Sequence, residues 1–215
     1  MRVEKSYTVQ EAIEYGFLQI GSSAIVAENV RFIRTEDNGT SAPIIIGAGT
    51  RLREGCIISS GVVIGSNSII GHNVVVRQGV RVGDNTVISH MVCLEKSSQV
   101  GNHVRISALT HITGGCIIED NVQVGAREVT INDRQMRRVK TPDLTTPGLK
   151  APILRQGCRV GSGATLMAGV EVGRNTLVGA GAVVTKNLPE NVIAFGVPAY
   201  IQAELTEPED FAREL

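Results

Sequence analysis

From Ile46 to Val129 an aliphatic residue opens every sixth position without a slip: Ile46, Leu52, Ile58, Ile64, Ile70, and so on through Val124, fourteen hexads in all. The same frame returns at Leu154, Val160, Leu166, Val172, Val178 and Val184. A period of six matches neither the 3.6 of an amphipathic helix nor the 2 of ordinary strand alternation. It predicts a solenoid whose coils each bury their faces on their neighbours.

Two further positions of the hexad are restricted. The fifth is small or β-branched in thirteen of the fourteen continuous hexads, Glu128 being the exception. Large aliphatics at position one and small residues at position five fill a thin core densely. The fourth is Gly or Asn in fifteen of the twenty hexads. Those two residues enter left-handed backbone conformation most cheaply. A corner of that kind every six residues gives three short strands per eighteen-residue coil, with coils stacked about 4.8 Å apart. Aromatics make up only 3% of the chain and Trp is absent, as a thin prism requires.

The formal net charge is zero, which argues against a generic nucleic-acid or anionic-membrane surface. No run approaches the ~18 apolar residues needed to span a bilayer, and no signal-peptide core is expected at the N-terminus. Cys56, Cys116 and Cys158 take the small interior position five. They are expected as buried free thiols, which suits a reducing cytoplasm.

Residues 1–19 are expected to form a helical cap, with Thr8 as N-cap and Glu11 completing a capping box. The solenoid is expected over 20–195, broken by polar loops at 33–45 and 130–153. An insertion as long as the second is usually functional or disordered. It carries Arg134, Arg137, Arg138, Lys140 and Lys150, and it reads as a flap that closes on substrate. The tail, 196–215, ends in a helix candidate from Thr206 (TEPEDFAREL).

The six-residue rule resembles that of the hexapeptide-repeat family. The resemblance implies an all-β fold, the left-handed parallel β-helix, and it alone supplies the handedness. The segment VGRNTLVGAGAVVTKNLPENVIAFGVPAY, Val172 to Tyr200, is similar to the last coils of hexapeptide acyltransferases. That likeness implies acetyl-CoA as co-substrate, held in a cleft between two subunits of a homotrimer. It makes Gly179, Ala180, Gly181 and Ala182 candidates to lie along the pantetheine arm. Arg174 and Lys186 become candidates for the CoA phosphates, since compact cations suit them. No resident metal is implied. The γ-class carbonic anhydrases share the fold, but they pair two histidines five residues apart, and the closest pair here, His103 and His111, is eight apart.

A narrower resemblance links VQVGAREVTINDRQ to the nucleotide-sugar N-acetyltransferases, in which the matching stretch often reads I-G-H-G-V-x-F-T-N-D. Asn132 and Asp133 match its N-D pair, the histidine of the pattern falls on Ala126, and Glu128 sits where a small aliphatic is usual. Four histidines are present. His103 takes the corner position four. His72 and His90 both take position three, one coil apart, loosely like the base-bearing position of other sugar acetyltransferases. His111 lies one coil before Val129, so Asn132 and Asp133 fall within roughly 10 Å of it if the chain keeps its path. The candidate catalytic residues are therefore His111, Asn132, Asp133 and His90.

The implied reaction is direct attack of a sugar amino group, the sugar linked to a nucleotide, on the acetyl thioester. His111 or Asp133 would accept the proton, and Asn132 would orient the nucleophile. O-acetylation of a sugar or antibiotic hydroxyl is the first alternative, and a non-catalytic scaffold is the second.

Overall fold

A computed structural model describes residues 3–36, 42–135 and 148–205. The hexads fold into a left-handed parallel β-helix, a triangular prism whose three faces are sheets of nine, eight and ten strands. The first sheet contains Val75–Val76, Cys93–Leu94 and His111–Ile112. The second contains Arg81–Val82 and Ile117–Ile118. The third contains Val87–Ile88, Arg105–Ile106 and Leu177–Val178. Register partners stand eighteen residues apart, as with Val75, Cys93 and His111.

All twenty position-one residues are at most 4% exposed, and every position-five residue faces the same interior. Part of that interior is polar, and a column of its hydroxyls is paired across coils. Thr50 Oγ1 donates to Gly65 O at 2.6 Å and accepts from Ser68 N at 3.0 Å. Ser68 and Thr86 repeat the pattern one and two coils on. These hydroxyls satisfy corner amides and carbonyls that would otherwise be buried without partners.

Nineteen of the twenty position-four residues have φ between 52° and 77°, Asn187 being the one outside. Met91, Ser97, His103, Leu109 and Arg127 adopt this conformation without being Gly or Asn. It costs such residues about 1–2 kcal/mol each. The corner amides recover part of this by bonding across coils: Met91 N donates to His72 O at 2.9 Å and Leu109 N to His90 O at 3.1 Å.

The N-terminal segment is a strand, Val3–Tyr7, and then a helix, Val9–Glu14, capped by Thr8 with the Glu11 capping box in place. The strand pairs antiparallel with Arg31–Glu36, and Ala12 and Phe17 close the core below the first coil. At the other end Val192–Phe195 joins the third sheet, and Tyr200–Glu204 pairs antiparallel with it where the sequence suggests only a tail. The expected helix from Thr206 lies outside the described residues, as do Arg137, Arg138 and Lys140. The insertion leaves the first sheet after Val129–Thr130, and its two ends meet again where Lys150 N donates to Asn132 O at 2.9 Å.

Candidate active site

Sheet pleating sends Cys93, Glu95 and His111 outward from the first face while Leu94 and Ile112 point into the core. Cys93 and His111 are register partners on adjacent parallel strands. One donor atom from each of Cys93, Glu95 and His111 falls within 4.8 Å of the others. The Cys93 thiol lies 3.6 Å from Glu95 Oε1, and Arg77 pairs with the same oxygen at 3.5 Å. Burial, and next the Glu95 charge, push the Cys93 thiol up to about 11.

His111 borders a cavity of about 450 Å³ on this face, toward the corner that leads to the second sheet. Arg77, Glu95, Lys96, Thr113 and Asn132 share its wall. The backbone beneath His111 is tied down: Thr130 Oγ1 donates to His111 O at 3.1 Å and accepts from Thr113 N at 2.6 Å. Asn132 enters from the insertion and donates through Nδ2 to Gly114 O at 3.1 Å. A Cβ on Gly114 would stand 3.1 Å from Lys96 O and 3.8 Å from Asn132 Nδ2, so the missing side chain leaves room for this approach.

Of the four residues picked from sequence as catalytic, His111 and Asn132 come together here. Asp133 follows Asn132 but is not on the cavity wall; its Oδ1 accepts from Gln135 N at 2.9 Å and shapes the turn. His90 is exposed on the corner between the third and first sheets, outside the cavity wall. Sequence reasoning passed over Cys93, Glu95, Arg77 and Lys96. The eighteen-residue register holds the signal for one of them, because it stacks Cys93 directly beside His111.

The candidates for the pantetheine arm divide. Gly179 and Ala180 line a second groove, about 350 Å³, on the third sheet, with Arg105, Gln123, Arg159 and Ser162. Gly181 is exposed on the adjoining corner, and a Cβ there would meet nothing within 4 Å. Ala182 does not belong with them: it takes position five, points inward and is 0% exposed. A Cβ on Gly179 would reach Phe195 Cβ at 2.6 Å, so that glycine serves the packing of the strand Val192–Phe195.

The two cation candidates are likewise absent from this groove. Arg174 stands on the corner between the second and third sheets, its Nη1 donating to Gln156 Oε1 at 2.6 Å. Lys186 is exposed beyond the strand Val183–Val184, on the corner between the first and second sheets. The groove's own cations are Arg105 and Arg159, stacked with Gln123 between them in register.

The repeated hexads, the three parallel sheets and the left-handed corners define the fold as a left-handed β-helix built from six-residue repeats. The profile of the bacterial transferase hexapeptide (six repeats) matches residues 43–78, 61–96 and 151–186. Galactoside O-acetyltransferase of Lactococcus lactis subsp. lactis is 33% identical over 72 residues, 32% of this chain and 35% of that protein. Serine acetyltransferase of Escherichia coli strain K12 is 36% identical over 95 residues, 43% of this chain and 32% of that protein. The chain thus spans about a third of the length of these curated relatives. LpxA, a UDP-N-acetylglucosamine acyltransferase from Bacteroides fragilis, shares the fold with a TM-score of 0.65 at 15% identity, covering 88% of this chain and 71% of that one.

Proposed function

We propose that the chain transfers an acetyl group from acetyl-CoA to an amino group of a sugar carried on a nucleotide. The observation that carries this reading is the meeting of His111, from a coil, with Asn132, from the insertion, on one cavity wall. The acetyltransferase names of the partial relatives support the reaction class.

In the proposed reaction the amine nitrogen attacks the thioester carbonyl carbon. A C–N bond forms, the C–S bond breaks, and CoA leaves as its thiolate. His111 accepts the proton the amine loses and returns it to the departing sulfur. Asn132 is anchored through its nitrogen on Gly114 O, and its oxygen serves as acceptor for the amine N–H. Arg77 and Lys96 on the same wall suit the phosphates of a nucleotide-linked acceptor. Binding both reactants side by side makes the attack effectively intramolecular. The acetyl-CoA arm is assigned to the third-sheet groove, along Gly179 and Ala180, with Arg105 and Arg159 toward its phosphates. Acetylation of a hydroxyl is the second reading, and one observation favours it. Glu95 beside His111 supplies a carboxylate that would orient the imidazole through its other ring nitrogen.

Asn132→Ala is expected to lower kcat by more than about tenfold, with acetyl-CoA affinity unchanged by calorimetry. An unchanged kcat removes Asn132 from the chemistry. Failure of the unaltered chain to bind CoA moves the function to a scaffold.

Cavity and groove occupy different faces of one prism, so the reading requires more than one copy of the chain. A homotrimer built about the corner between the third and first sheets would bring the groove of one copy toward the cavity of the next. Met91 and Leu109, 57% and 53% exposed on that corner, supply an apolar seam. Leu109→Asp is expected to yield a folded monomer by light scattering that has lost transfer activity; a trimer that survives Met91→Asp with Leu109→Asp removes this interface. No helix among the described residues is long and apolar enough to cross a membrane. Four free cysteines, three of them buried, suit a reducing cytoplasm.

A further inference from the structure

We infer that Cys93, Glu95 and His111 form a binding site for a borderline-soft divalent cation, zinc above all, on the first face. The argument rests on donor chemistry and placement, not on the transferase reading. A thiol, a carboxylate and an imidazole are each ligands that zinc takes, and three protein ligands leave a tetrahedral zinc a fourth position open. Ligands about 2.0–2.3 Å from a tetrahedral zinc stand roughly 3.3–3.8 Å from one another. Here the three donor atoms already lie within 4.8 Å of one another, and the sulfur–oxygen distance is 3.6 Å. Rotation of side chains alone closes the remaining gap.

The backbone under the site is rigid. Cys93 and His111 are paired rungs of a parallel ladder, and Glu95 lies two residues along from Cys93 on the same outward side. Thr130 fixes the carbonyl of His111 from below. Glu95 and His111 line the cavity, which would give water or another small fourth ligand access to the cation.

The charges balance on binding. The cation brings two positive charges, and the Cys93 thiolate, formed by loss of its proton, and the Glu95 carboxylate bring one negative charge each. The imidazole binds neutral, so the complex carries no net charge, which suits a half-buried setting beside Arg77 and Lys96. Arg77 now pairs with Glu95 at 3.5 Å, and its side chain is 54% exposed, so it is free to turn outward. The high thiol value set by burial and Glu95 argues against Cys93 as a free nucleophile. It does not oppose metal binding, in which the cation displaces the proton. A cation here would occupy the lone pair assigned to His111 as base, so zinc would inhibit the proposed transfer.

The test is a cobalt titration of the full chain after chelator treatment, read without acetyl-CoA. One equivalent of Co2+ per chain is expected to produce a thiolate-to-cobalt charge-transfer absorption, and Zn2+ is expected to displace it. Cys93→Ser should abolish the absorption, and His111→Ala should weaken binding at least about tenfold. Unchanged thermal unfolding of each apo variant shows that the loss is local. If Cys93→Ser does not fold, Glu95→Gln serves in its place, with at least about tenfold weaker binding expected. No charge-transfer band, or a band that persists in Cys93→Ser, overturns the site. Because the readout is spectroscopic, that outcome leaves the transferase reading standing, and loss of transferase activity leaves the metal site standing.

Discussion

Acetyl transfer by a His111→Ala chain is expected to fall about a hundredfold or more below that of the unaltered chain, the ordinary contribution of a positioned general base. The loss should appear in kcat. Acetyl-CoA affinity should hold, because the groove assigned to it lies on another face. The fold should also hold, since the side chain points outward while the rung is kept by His111 N donating to Glu128 O at 3.0 Å. Measuring kcat and the CoA dissociation constant on the same preparation separates a chemical loss from a binding one. A kcat within a factor of two or so of the parent would exclude His111 as the base.

The second large effect concerns Glu128. Both of its carboxyl oxygens are buried without a hydrogen-bond partner, in a column whose neighbours one coil away are Thr110 and Ala164. Burial pushes its carboxyl from 4.5 up to about 8. The folded chain therefore holds a proton that the unfolded chain releases above about pH 4.5. Stability from this group is full below pH 4.5 and declines as pH rises to about 8, by about 1.4 kcal/mol per unit. Leucine, of similar volume and without charge, removes that dependence. Glu128→Leu is expected to be about 3–4 kcal/mol more stable relative to the parent at pH 8 than at pH 5. Denaturant midpoints at the two pH values check this. An equal gain at both pH values would mean that Glu128 is ionised in the fold or reaches solvent.

The fold was legible because one steric rule repeats. Position one must be large, position five small and position four willing to turn left-handed, and each condition leaves its mark every six residues. Even Met91 and Leu109, which break the Gly/Asn preference, obey the backbone rule, because inter-coil pairing at the corner imposes it. The same rule would have corrected Ala182, whose position-five register sends it inward whatever the family pattern at its neighbours. Glu128 was visible as the one large charged residue in a column of small ones.

The site was only half legible. Asn132 was chosen because it matches the N-D pair of a family pattern, and the eighteen-residue register across the break set it near His111, with which it shares a cavity wall. Arg174 and Lys186 were chosen from a linear motif, and a linear motif does not report that a six-residue step moves a side chain to the next face. Arg105 and Arg159 are far apart in sequence and fall two rungs apart in one column, either side of Gln123, only because the insertion is looped out between matching rungs.

At each end of the prism one of the three sheets finishes on an antiparallel strand, Val3–Tyr7 on the first sheet and Tyr200–Glu204 on the third. In-register parallel strands stacked at about 4.8 Å are also the geometry of cross-β fibres, which grow by adding identical rungs to an open edge. Here a second copy meets a strand running the wrong way, beyond a register shift at Ile193/Ala194 in one case and beside a capping helix in the other. On those two sheets the reversal of direction removes the matching rung that end-to-end addition would need.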